Sequence, residues 1–290
     1  MKTKILVTGS EGQMGQTLNE LYLNDPEFDI KFVTKADLDI TKKDAIEASF
    51  NKYKFDYCIN CAAYTNVEQA EEQIDLAFSI NAEGVRNLAE VCRKNNVILI
   101  HISTDYVFDG KKQNPYIEED IPNPINVYGK SKLAGETYIK EIEPKYFIIR
   151  TSWLYSKYGH NFLKSIINKI QNNELLKITT SQRGTPTSCK DLSEFIFNLI
   201  KSRNSNFGIY HFSAKGETTW FGFALQICSH FKNYNCKTIS PVEVFKSKAT
   251  RPNYSVLDNC KALKITKDQK NWRESVDETA LSLISKSSQK

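Results

Sequence analysis

The chain has no run approaching the ~18–20 consecutive apolar residues that a bilayer-spanning helix needs. Its N-terminus offers Lys2 and Lys4, then only Ile5-Leu6-Val7 before Thr8-Gly9, too short for the ~7–15-residue apolar region of a secretion signal. Seven cysteines, an odd number scattered over 290 residues, lack the pattern of a disulfide framework and point to a reducing cytoplasm. No basic block recurs with interleaved aromatics and the formal net charge is only +5, so the footprint of a nucleic-acid binder is missing. Apolar residues are not scarce: at 40 % they exclude a wholly disordered chain. Glycine is scarce, with 12 residues, roughly 4 % against a usual ~7 %. Yet three of them, Gly9, Gly12 and Gly15, fall almost together.

Up to residue 150, short apolar runs alternate with longer amphipathic ones. Strands are expected over 5–8, 30–33, 57–60, 97–100 and 146–149, and helices over 13–23, 42–52, 75–94 and 130–142. That alternation predicts an α/β fold, a doubly wound parallel sheet of the Rossmann kind. Such sheets bind ligands beyond the carboxyl ends of their strands. Residues 1–150 then form a dinucleotide-binding domain. Residues 151–290 are less regular, with helices expected over 162–171, 191–201 and 219–231, a strand over 208–212 and a frayed tail over 285–290. They read as a smaller C-terminal substrate lobe, packed on the first part and partly interleaved with it.

The glycines sit in Thr8-Gly9-Ser10-Glu11-Gly12-Gln13-Met14-Gly15, between the first strand and the first helix. Gly9 permits a tight turn, Gly12 lets backbone approach a diphosphate and Gly15 lets the helix pack close to the strand. The helix N-terminus presents free N–H groups to that diphosphate. After the second strand come Thr34-Lys35-Ala36, with no carboxylate for the ribose hydroxyls of NAD. Lys35 is either a solvated surface lysine or a partner for a 2′-phosphate, so NADPH and NADH both stay open. Asp39, further on, is the candidate for the adenine side.

Tyr128-Gly129-Lys130-Ser131-Lys132 opens a helix, placing Tyr128 and Lys132 one turn apart on one face. An ammonium beside a phenol favours the phenolate and is expected to lower Tyr128 from ~10 toward neutrality. Such a tyrosine gives a proton to a ketone oxygen as hydride arrives, or removes one in reverse. His101-Ile102-Ser103-Thr104-Asp105 follows the fourth strand at the carboxyl edge. There Thr104, in preference to Ser103, offers a hydroxyl to the same carbonyl; the other reading is a strand-ending turn that caps backbone.

The glycine turn, Asn60-Cys61-Ala62-Ala63, Asn81 and the Thr104–Tyr128–Lys132 set resemble the extended short-chain dehydrogenase/reductase superfamily. More narrowly, Ala62-Ala63-Tyr64-Thr65-Asn66-Val67, Ser103 through Gly110, Asn126 through Lys132, Arg150-Thr151-Ser152-Trp153, Gly184-Thr185-Pro186-Thr187 and Arg251-Pro252 resemble the dTDP-4-dehydrorhamnose reductases. The resemblance implies reduction of the 4-keto group of dTDP-4-dehydro-L-rhamnose by NADPH or NADH. It implies Tyr128 as proton donor, Lys132 as ribose ligand and Thr104 as carbonyl partner. Gly9, Gly12, Gln13, Met14, Gly15, Asp39, Ile40, Ala62, Ala63, Thr65 and Ser103, with Tyr128 and Lys132, would hold the cofactor. Thr104, Asp105, Tyr106, Tyr128, Trp153, Asn161 and Arg251 would hold the sugar nucleotide. No metal, nucleic acid or membrane is expected, and a homodimer is the oligomer left open. The same resemblance leaves two other functions: a nucleotide-sugar epimerase or dehydratase that recycles its cofactor, or a non-catalytic cofactor-binding regulatory subunit.

Other chemistry-bearing residues have plainer roles. Cys58-Ile59-Asn60-Cys61 has redox or zinc spacing, but it lies on a buried strand with no second Cys/His pair nearby. His101 and His211 on strands, and Trp220 in an amphipathic stretch, are expected in the core. His160 falls in a loop expected over the site.

Overall fold

The computed structural model describes residues 2–231, 238–243, 247–266 and 268–287. In chain order the first part comprises β1 (Thr3–Thr8), α1 (Gln13–Tyr22), β2 (Phe28–Val33), α2 (Lys43–Lys52), β3 (Tyr57–Asn60), α3 (Val67–Ala70), α4 (Ile74–Phe78), α5 (Gly84–Asn95), β4 (Ile98–Thr104), α6 (Val127–Ile142) and β5 (Tyr146–Thr151). The rest comprises β6 (Leu154–Tyr155), α7 (Phe162–Gln171), β7 (Leu176–Thr179), β8 (Arg183–Gly184), β9 (Thr187–Ser188), α8 (Cys189–Lys201), β10 (Gly208–His211), β11 (Thr218–Thr219), α9 (Trp220–Cys228), β12 (Ile239–Val242) and α10 (Trp272–Ser287).

Six strands form one parallel sheet in the order β2-β1-β3-β4-β5-β10. The chain runs outward from β1 to β2, then returns to the other side of β1 for β3. The connections leave in opposite directions there and open a crevice at the carboxyl ends of the strands. Both faces of the sheet are covered, so its inner strands are largely apolar runs, while the edge strand β2 admits Asp29 and Lys31. Along β1 the pleat still sorts the side chains: Ile5 and Val7 join the core under α1 and α8, while Leu6 joins the core under α2, α5 and α6. A side chain such as Leu18 of α1, fully buried, stabilises the fold by about 1.5–3 kcal/mol. A third core, with Phe223 and Trp272, holds together α7, α9 and α10.

The helix expected over 75–94 is interrupted. Between α4 and α5, Ser79–Glu83 forms a π-helical turn. Buried Asn81 explains the widening: its side chain accepts from the Tyr64 N–H (2.8 Å) and donates to the Tyr64 carbonyl (2.9 Å) and the Ser131 hydroxyl (3.0 Å). It thereby ties down the loop after β3. Two other expected boundaries move toward the site. β4 continues through Ser103 and Thr104, which pair with Arg150 and Thr151 of β5. α6 begins at Val127 because Asn126 caps it, accepting from the Gly129 N–H at 2.7 Å.

The sheet does not end at residue 150: β10 pairs with β5, and α8 covers it. Ser285–Ser287 of the expected frayed tail close α10, and residues 288–290 lie outside the described residues. No helix among the described residues is long and apolar enough to cross a membrane. Cys58, Cys61, Cys92, Cys189 and Cys260 are free. Cys228 is disulfide-bonded, a link that the scatter of the cysteines did not announce.

Candidate active site

A cleft of about 550 Å³ lies over the crevice. One wall is the glycine turn. Gly9 has φ +65°, and a Cβ there would lie 2.6 Å from the Ala62 backbone nitrogen, so glycine is required where β1 meets the loop after β3. A Cβ on Gly15 would lie 2.5 Å from the Gly9 carbonyl, which keeps α1 pressed on the turn. Gly12 differs: a Cβ there meets only the Gly9 carbonyl, at 3.3 Å, and would otherwise project into open space. Gly12 is the N-cap of α1, with no side-chain cap and no acidic residue in the first turn. The first N–H groups therefore face the cleft beside Gly12, Gln13 and Met14, an arrangement that suits a diphosphate. Among the described residues, no group of three or more His, Cys, Asp or Glu could hold a metal ion.

The opposite wall is built by β4 and α6. The Tyr128 hydroxyl has Thr104 as a neighbour, whose hydroxyl favours the charged form against burial. The Thr104 hydroxyl donates to Asp105 Oδ1 at 3.0 Å and accepts from the Tyr106 N–H at 3.2 Å. The Tyr106 ring meets that of Tyr128 edge-on at 5.8 Å. Gly129 permits this closeness, since a Cβ there would lie 2.1 Å from the Tyr106 carbonyl. Asp105 Oδ2 has no hydrogen-bond partner. Burial pushes the Asp105 carboxyl up to about 7, against hydrogen bonds from Ser255 and Thr104 that favour its charged form.

Lys132 corrects an expectation. Its amine is not directed at Tyr128 but inward, donating to the Ile102 carbonyl at 2.7 Å and meeting His101 Nε2 at 3.1 Å. Burial brings it down to about 8. With no ammonium beside it, Tyr128 is not lowered toward neutrality. Burial pushes it up to about 12, so the phenol keeps its proton.

The structure gathers many of the sequence-selected residues here: Gly12, Gln13, Met14, Ala63, Thr65, Thr104, Asp105, Tyr106, Tyr128, Lys132 and Trp153 all line the cleft. Ser103 lines it too, but its hydroxyl turns away and donates to Glu136 at 2.5 Å. Others stand behind it. Ile40 is buried against the position where Gly84 lacks a Cβ, and Asp39 accepts from the Thr41 N–H and hydroxyl. Asn161 caps α7 and spends its amide on the Ser156 (2.8 Å) and Tyr158 (3.1 Å) carbonyls. Arg251 donates to Glu68 at 2.7 Å. Burial pushes the Cys61 thiol up to about 12, the wrong direction for a reactive thiolate.

Two aromatic features were not foreseen. Trp220 lines the cleft and stacks on Trp153 with centroids 3.7 Å apart and planes 8° apart. Its Nε1 donates to Gln182. Its position at the start of α9 was available in the sequence, but an apolar residue opening an apolar helix gives no sign of facing a cleft. Trp153 itself has φ +46°, a strained backbone for a bulky residue. His160 lies in the loop that closes the cleft.

The sequence pattern of the RmlD substrate binding domain matches residues 3–284. A dTDP-4-dehydrorhamnose reductase of Aggregatibacter actinomycetemcomitans is 38 % identical over 77 % of this chain and 78 % of its own length. One from Sinorhizobium fredii is 34 % identical over 97 % and 98 %. The crystal structure of the dTDP-4-dehydrorhamnose reductase of Bacillus anthracis in complex with NADP superposes with a TM-score of 0.92, at 40 % identity, covering 97 % of this chain and all of that one. A Thermus thermophilus UDP-glucose 4-epimerase, 18 % identical, shares the fold at a TM-score of 0.82. With one pattern spanning nearly its whole length and a 34 % identical relative matched over 97 % of it, the chain belongs to the RmlD substrate binding domain family.

Proposed function

We propose that the chain reduces the 4-keto group of dTDP-4-dehydro-L-rhamnose to give dTDP-L-rhamnose, with NADPH as reductant and NADH as the alternative donor. The observation that carries this is the convergence of Thr104, Tyr128 and Lys132 on one cleft, opposite the uncapped N-terminus of α1. The family relatives add the sugar and the NADP-type cofactor.

A bound dinucleotide supplies the hydride. The chain's own residues handle the rest. Gly12, Gln13 and Met14 would hold the diphosphate through backbone N–H groups. Tyr128, protonated at neutral pH, is the acid that delivers a proton to the carbonyl oxygen. Thr104 stands beside Tyr128; with Asp105 protonated and donating to it in turn, its hydroxyl is free to donate to the phenolate left behind. Lys132, one turn along α6, adds positive charge to that phenolate when it turns into the cleft. The stacked Trp153 and Trp220 offer an apolar face to the sugar. Asn161 and Arg251 act at the margin of the substrate site, Arg251 after release from Glu68. Residues 151–290 form the substrate lobe, apart from α8 and β10. The cytoplasm is the compartment we assign, because five cysteines are free and the Cys228 disulfide is an exception among them. A homodimer is the assembly proposed, and a monomer mass in sedimentation equilibrium removes it.

The test is loss of NADPH and NADH absorbance, in parallel assays with dTDP-4-dehydro-L-rhamnose, followed by identification of the product sugar. Stoichiometric NADPH oxidation is expected. Sugar conversion without net oxidation would indicate an epimerase or dehydratase, and no conversion a regulatory subunit. Tyr128→Phe should keep dinucleotide binding and lose about 10²–10⁴-fold in turnover; near-full turnover sinks the mechanism.

A further inference from the structure

A string of buried polar side chains runs behind the cleft and ends on Lys132. Thr8 and Asn60 close β1 and β3, His101 stands midway along β4, and the three are direct register neighbours across these parallel strands. Each is at most 1 % exposed, and Lys132 is 2 % exposed. The Thr8 hydroxyl donates to Asn60 Oδ1 at 2.7 Å. The Ala62 N–H donates to the same oxygen at 3.2 Å. Asn60 Nδ2 meets His101 Nδ1 at 3.0 Å, and His101 Nε2 meets Lys132 Nζ at 3.1 Å.

The protons along this string can be placed by elimination. A backbone N–H only donates, so the Asn60 atom facing Ala62 is the carbonyl oxygen. The amide nitrogen therefore faces His101, and Nδ1 must accept. An imidazolium has no accepting nitrogen, so the ring is neutral, the direction in which burial also pushes it. A neutral ring that accepts at Nδ1 carries its proton on Nε2. That N–H points at Lys132. A neutral amine has a lone pair to receive it; an ammonium has none.

We propose that His101 is a positioning residue for Lys132: fixed by Asn60 as the Nε2–H tautomer, it parks the neutral amine inward and turns the ammonium out toward Tyr128 and the dinucleotide. The catalytic consequence rests on the reductase function proposed above; the tautomer does not. The other titratable groups around Lys132 leave this role open. Glu136, on α6, is engaged by Arg150 of β5 and by Ser103. Cys61, after β3, is held neutral by burial. Tyr128 on α6 is protonated.

The experiment is ¹⁵N NMR of the full chain labelled in its histidine rings. There are four histidines, and His101→Gln identifies the relevant signals. The expected result is an Nε2–H tautomer for His101. A wild-type Nδ1–H tautomer overturns the proposal, whether or not the protein reduces the sugar. The second arm is Asn60→Asp, which keeps the acceptor for Thr8 and Ala62 but presents a carboxylate oxygen to Nδ1. The ring should switch to Nδ1–H, and Nε2 should accept from the ammonium. The Lys132 limb of the kcat/KM pH profile should then move up by about one unit or more. A purely packing role for His101 predicts no movement of that limb, and an unmoved limb with a switched tautomer overturns the proposal. If Asn60→Asp does not fold, the wild-type tautomer decides alone.

Discussion

Lys132 and Glu136 lie one turn apart on α6, and both are buried, at 2 % and 0 % exposure. Their surroundings are opposite. Glu136 is fully committed: Arg150 donates to it from Nε at 3.0 Å and from Nη2 at 2.7 Å, and Ser103 adds a third donor. Lys132 has no carboxylate partner among the described residues, only a carbonyl and an imidazole. The committed end of the helix ties β4, α6 and β5 into one unit. The uncommitted end keeps a charge that can be moved. One helix thus carries a buried ion pair and, a single turn away, the amine we propose as functional, distinguished by the chemistry of their partners and not by burial.

Removing charge at the two ends should separate these roles. Glu136→Gln strands the Arg150 guanidinium, 1 % exposed, and should lose about 3–5 kcal/mol in urea unfolding. Lys132→Met should do the reverse, with turnover down by about 100-fold or more and stability within about 1 kcal/mol of wild type. An equal loss of stability in both variants would collapse the distinction.

A smaller effect is expected beside the pair, at Asp105. Its carboxyl stays protonated in the fold up to about 7, against an ordinary 3.8. The folded state binds the extra proton between those values, so stability falls as pH rises through that window. Asp105→Asn should therefore melt above wild type at about pH 8 and level with it at about pH 4. The same difference at both pH values would mean the carboxyl is not held neutral. The smallest effect is set at the far wall. Trp220→Leu should raise KM for the keto-sugar about two- to tenfold and leave kcat unchanged, with about 0.5–1.5 kcal/mol of stability lost with the stack on Trp153, showing that the sugar face and the α6 wall act separately.

The five strands of the first part were legible because parallel strands buried on both faces are largely apolar runs. The ends nearest the site were harder. Ser103 and Thr104 resemble turn residues, yet extend β4 because β5 pairs with them. The break at Ser79–Glu83 is imposed by Asn81 reaching Tyr64 and Ser131, contacts distant in sequence that leave no periodic trace. Two-residue strands such as β6 and β8 offer no period at all, and α10, anchored by Trp272, was missed because most of its positions are polar. Spacing brought Tyr128 and Lys132 to one face of α6. It did not reveal where the lysine amine points, which depends on the His101 ring one strand away.

The sixth strand has a consequence for synthesis. The chain leaves the sheet at Thr151 and re-enters it only at Gly208. At a ribosomal rate of about 5–20 residues per second, the β5 edge stays open for roughly 3–12 s while about 60 further residues are made. An open edge is a template for pairing with another chain. The nascent chain therefore carries Tyr128 and Lys132 before β10 covers the β5 edge, and a product truncated near residue 150 would carry that aggregation-prone edge permanently.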